Sequence, residues 1–131
     1  MPRILAGAVV GGVVWLVSAT VLNFALRDGW HDYASVEKAM TFTVPMMIAR
    51  LVESGISSIV GGAVAAMIGR DRTRPALGTG IILLVLFLPV HYSLWSRFPI
   101  WYHLTFLSSL VVLSLLGGRI APVRRRRFQV A

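Results

Sequence analysis

Cysteine is absent from the 131 residues of this chain. That excludes a disulfide framework, a thiolate metal site and a lipid-modified cysteine. Charge is scarce too: 14% of residues are charged against 56% hydrophobic, too few to cover a domain whose surface faces water. The chain shows no glycine-rich phosphate loop, no nucleophile elbow, no paired carboxylates and no repeat of solenoid period. These absences predict a protein without enzymatic activity and without a bound cofactor.

What remains is apolar and periodic. Four runs approach the roughly 20 residues that a helix needs to cross a hydrocarbon core of about 30 Å. They cover residues 4–26, 46–69, 76–95 and 100–118, followed by a basic tail at 119–131. The expected fold is an all-α membrane protein: one domain over 1–131, with four transmembrane helices in an antiparallel bundle. Thr43 and Pro45 mark the start of the second run, since proline suits a first turn where its missing N–H costs nothing. Pro89 should kink or loosen the far end of the third. Only "SRFP" separates the last two runs, which predicts a tight hairpin.

Net charge is +8, and its placement argues for topology over nucleic-acid binding. Arg3, Arg70, Arg72, Arg74, Arg119 and Arg124 to Arg127 fall on one side with the single acid Asp71. Arg27, Lys38 and Arg97 fall on the other, balanced by Asp28, Asp32 and Glu37. Lys and Arg flanking spans are retained in the cytoplasm, so both termini are expected inside. Val17-Ser18-Ala19 also has the small-residue pattern of a signal cleavage site. The apolar run continues past it through Val21, Leu22, Phe24 and Leu26, a span's length. The Arg124 to Arg127 cluster is expected to attract anionic lipid, at about 1 kcal/mol per basic residue near the surface.

Helices in lipid gain nothing from hiding leucine, and small residues let their backbones approach. In the second run Ser54, Ser58, Gly62 and Ala66 recur every fourth residue, beside a row of Ser57, Gly61, Ala65 and Gly69. Gly7 and Gly11 repeat the spacing in the first run, next to Ala8 and Gly12. The two runs should cross on this seam, within one chain or between subunits of a homo-oligomer or larger membrane complex.

Two charges interrupt the second run. Counting back from Gly69 puts Arg50 near the interface away from the arginine clusters, with Glu53 about 4.5 Å deeper at the helical rise. Residues three apart share a face, so the pair is expected to neutralise itself. Glu53 is the only acid in any run, which makes it the candidate for holding a proton or a cation.

The three histidines, His31, His91 and His103, all fall on the side away from the arginine clusters. His91 and His103 lie six residues either side of Arg97 and should reach nearly equal depth. Together they are candidates for ligating a metal or a haem iron. Trp30, Tyr33, Tyr92, Trp95, Trp101 and Tyr102 surround them, as in an interfacial aromatic belt.

The opening "MPRILAGAVVGGVV", the ending "GGAVAAMIGR" and the hairpin "FPIWYHLTFLSSLVVLSLLGGRIA" resemble a set of small uncharacterised four-span bacterial inner-membrane proteins. The likeness covers roughly half of the chain. It implies a multi-pass protein of the bacterial inner membrane, partnered by lipid, and brings no activity with it. Small multidrug resistance transporters also have four spans and depend on a glutamate in the first, where this chain has no acid. Small fluoride channels carry a polar, phenylalanine-containing break in the third span, which "LGTGIILLVLFLPV" lacks. The functional expectation is an accessory or self-associating membrane bundle, with a small transporter or channel using Glu53, or a metal- or haem-binding protein, as alternatives.

Overall fold

The computed structural model describes residues 2–123. The expected lipid-binding cluster Arg124 to Arg127 lies outside these residues. Five helices appear and, among the described residues, no strand: α1 (Pro2–Gly29), α2 (His31–Val36), α3 (Val44–Gly69), α4 (Arg74–Ser93) and α5 (Ile100–Ile120). All but α2 are long and apolar enough to cross a membrane.

Local chemistry sets the helix ends. α3 and α4 each begin with proline in the first turn, at Pro45 and Pro75. α3 stops at Arg70, whose left-handed backbone (φ 53°) turns its N–H back to the Ala66 carbonyl. The next residue, Asp71, accepts hydrogen bonds from the backbone N–H groups of Thr73 and Arg74 at 2.8 and 3.0 Å. These fix the entry to α4 and hold the Asp71 carboxyl below its usual range. A lowered carboxyl contributes stability that is complete above its unfolded value, about pH 4, and is lost as pH falls through the folded one. Asp71→Ala should cost about 1 kcal/mol, as for a lost helix cap. Asp71→Asn should flatten this part of the acid dependence, which thermal melts across the acid range will read. α4 continues through Pro89 and ends one turn later at Ser93.

The faces are sorted by size. On α1, Gly7, Ala8, Gly11, Gly12 and Trp15 are buried, whereas Val9, Val13, Val17 and Val21 are 49, 53, 58 and 61% exposed. Apart from Trp15, which fills the bundle interior, bulky apolar residues lie outside and small ones inside, the arrangement that hydrocarbon surroundings favour.

Contacts run in register. Gly7 meets Ala65 and Gly69, and Gly11 meets Gly61. Further along, the Trp15 indole N–H donates to Ser58 Oγ at 3.0 Å. Ser58 in turn donates to the Ser54 carbonyl at 2.8 Å. The two small-residue rows of α3 therefore divide: Gly61, Ala65 and Gly69 face α1, while Gly62 rests on Ser114 of α5. Ala66 is fully buried. On α4, Thr79 donates to the Ala8 carbonyl at 2.9 Å, and Gly80 lies against Val111 of α5. Around the bundle the order is α1, α3, α5, α4. α1 and α5 stand diagonally, with Trp15 reaching across to Phe106 at 6.5 Å between ring centres. One end of the bundle collects Arg3, Gly69, Arg72, Pro75 and Gly118. The other carries α2 and the α4–α5 turn and is rich in aromatic rings.

Candidate functional site

At the aromatic end a chain of polar side chains runs from the connecting segment into the bundle. Asn23 and Arg27 sit one turn apart on α1, and both reach Glu37 at the end of α2. Arg27 Nε lies 2.9 Å from one carboxylate oxygen, close but misaligned for a hydrogen bond. Asn23 Nδ2 donates to the other oxygen at 3.0 Å. The Tyr33 hydroxyl donates to Asn23 Oδ1 at 2.7 Å and accepts from an Arg50 terminal nitrogen at 2.9 Å. Burial raises the Tyr33 phenol above its usual value despite the neighbouring Arg50. Arg50 Nε donates to the Tyr102 hydroxyl at 3.2 Å, and its guanidinium lies over the Phe42 ring at 4.7 Å. The arginine is thus clamped by two phenols and one aromatic face.

This geometry replaces the expected Arg50–Glu53 ion pair. Among the described residues, Arg27 and Glu37 form the one ion pair within 4 Å. Arginine presents its donors as a rigid fork, and here the fork points at Tyr33 and Tyr102. Glu53, one turn deeper, accepts no hydrogen bond at its carboxylate from any described residue; the bond from Ser57 goes to its backbone carbonyl.

Glu53 borders two spaces. Inside the bundle is a cavity of about 90 Å³ whose polar wall is Arg50, Glu53, Ser54 and Tyr102. Trp15, Phe87 and Phe106 close its apolar side. It is several times the roughly 10–15 Å³ that one water needs. Ser54 Oγ is buried there and has no hydrogen-bond partner among the described residues. On the other side of Glu53 is an apolar groove of about 270 Å³ between α1 and α3, lined by Leu22, Leu26, Val52 and Ile56 among others. The Glu53 carboxylate therefore borders a small cavity of mixed polar and apolar walls on one side and the outer groove on the other.

His91 and His103 are brought together across α4 and α5, with their Nδ1 atoms 2.7 Å apart. His31 begins α2 and does not join them. Among the described residues no group of three His, Cys, Asp or Glu side chains gathers to hold a metal, and the three candidate histidines do not come together. The reason is placement: α2 belongs to the α1–α3 connection, whereas the other two rings lie at the α4–α5 turn.

Tyr33, Tyr102, Asn23 and Glu37 are the members of this polar network that sequence reasoning did not connect to Arg50. A signal did exist. A guanidinium inside an apolar helix needs acceptors, and Tyr33 and Tyr102 lie in segments that reach the same depth.

Architecture and site together define a helical protein with four helices suited to crossing a membrane and, among them, a small cavity bordered by Arg50, Glu53, Ser54 and Tyr102. Comparison with protein-family models, with curated proteins and with solved structures finds no match to this chain.

Proposed function

We propose that the chain is a multi-pass integral membrane protein that binds and passes a proton or small cation through the Glu53 chamber, without enzymatic activity. One observation carries this reading: Glu53 lines both the cavity and the outer groove, and its carboxylate has no hydrogen-bond or ion-pair partner among the described residues. An ionisable residue inside a span is costly, and such residues mark ion or proton paths. The glycine seam is occupied within the chain by α1, α3 and α5, so it gives no support to self-association.

The contact register supports an antiparallel bundle, and the gathering of Arg3, Arg70, Arg72, Arg74 and Arg119 supports a cytoplasmic location for both termini. In this reading the aromatic end faces outward from a bacterial inner membrane, lipid is the principal partner, and the Arg124 to Arg127 cluster meets anionic headgroups. The expected result in reconstituted vesicles is proton or monovalent-cation flux that Glu53→Gln reduces at least tenfold with the fold intact. Flux unaltered by that substitution would remove Glu53 from the path.

A further inference from the structure

The histidine pair lies beside the chamber and has no part in the Glu53 reading. We infer that His91 and His103 form a single proton-binding site, sharing one proton between their Nδ1 atoms, and that double protonation of the pair parts the rings and opens the aromatic end of the α4–α5 hairpin.

The argument starts from the contact. Two Nδ1 atoms 2.7 Å apart require that one carry a hydrogen and the other a lone pair. A neutral imidazole has one N–H, so the accepting ring holds its own hydrogen at Nε2. When the pair gains one proton, the bond survives: an imidazolium donates through Nδ1 to a neutral ring. When both rings are charged, two N–H groups face each other at a distance no hydrogen bond allows. The contact thus tolerates one added proton and is broken by a second.

Burial makes that break consequential. His103 is fully buried and His91 retains 6% exposure, so proton exchange runs through His91. Among the described residues His103 Nε2 has no partner, and the Nδ1 contact is the one hydrogen bond they give that ring. The rings are also held by stacking. Trp95 lies nearly parallel to His103 at 4.7 Å, and Phe106 lies 4.5 Å from His91. Each aromatic face favours a cation on its own ring, but neither relieves the clash of two facing N–H groups. The groups facing the pair give a second cation no help: α3 brings Arg50, a like charge, and α5 brings the Tyr102 phenol, already an acceptor for Arg50. Glu53 lines the chamber together with Tyr102 and Phe106, whose rings pack on His91. From α1 the nearest contribution is Trp15, against Phe106 and Phe87. Trp95 and Leu94 follow the end of α4 directly, so separation of the rings moves the turn that joins the two helices.

The test uses the full-length chain in lipid nanodiscs. With ¹⁵N-histidine labelling, the expected result at neutral pH is a scalar coupling between the Nδ1 nuclei of His91 and His103. It should be lost on acidification in the same transition that shifts the emission of Trp95, read in a variant whose other tryptophans are phenylalanine. His91→Gln and His103→Gln should each abolish the Trp95 transition while the helical circular dichroism stays unchanged. Absence of the coupling at neutral pH overturns the proposal, as does a Trp95 transition that persists in either variant. The coupling is measured on the unsubstituted pair and is decisive even where a variant does not fold. Neither readout depends on flux, so failure here is distinct from failure of the Glu53 reading.

Discussion

Gly62→Ala is expected to destabilise the protein severely, and Gly12→Ala, in the neighbouring helix, is expected to be neutral or mildly stabilising. The two substitutions add the same methyl group to helical glycines. Intrinsic propensity favours alanine over glycine in a helix by about 1 kcal/mol, so propensity alone predicts a gain at both. At Gly12 the nearest atom to the new carbon is a methyl of Ile82 at 4.0 Å, an ordinary contact. At Gly62 the methyl would overlap the Ser114 carbonyl of α5, and Gly117 returns the same constraint against the Ile59 carbonyl of α3. A carbonyl inside a helix cannot rotate away as a flexible side chain does, so α3 and α5 must separate along this contact. Overpacking costs about 1–3 kcal/mol where side chains can adjust, and Gly62→Ala should fall at or above the top of that range. Thermal unfolding in a mild detergent, followed by circular dichroism, is the measurement. Equal midpoints for the two variants would mean that α3 and α5 are not in contact here.

Arg50 supplies the second large effect. Its guanidinium donates to two phenols, and hydrogen bonds to charged groups contribute about 1.5–3 kcal/mol each. Arg50→Leu removes both and leaves Tyr102 without the partner it has in the structure. The expected loss is about 3 kcal/mol or more. Arg50→Lys keeps the charge but not the fork, and should forfeit at least one of the two bonds. A double-mutant cycle with Tyr102→Phe separates the contact from general disruption. The expected coupling is about 1 kcal/mol or more, and none would show that the phenol and the guanidinium act independently.

The spans were legible because hydropathy is a property of composition. The helix ends were less so: α1 continues to Gly29 and α3 begins at Val44, since backbone hydrogen bonding does not stop where apolarity does. Small residues on α3 stood out by spacing, yet spacing does not name a partner. Gly61 and Gly62 are neighbours in the sequence that serve different helices. Glu53 was visible as the only acid within a run. The partners of Arg50 were not, because Tyr33 and Tyr102 lie 17 and 52 residues away and the nearer acid offered a simpler bond. Local spacing at i and i+3 favoured Glu53, and tertiary placement of two phenols outweighed it.

The order α1, α3, α5, α4 around the bundle bears on biosynthesis. α3, the second long helix to emerge from the ribosome, finds its first companion at once in α1, but its other narrow face, at Gly62, is matched by the helix made last, α5. Until residues 100–120 have been made, that face lacks the Ser114 backbone it packs on in the finished bundle, so a chain cut before α5 is expected to be markedly less stable than the whole.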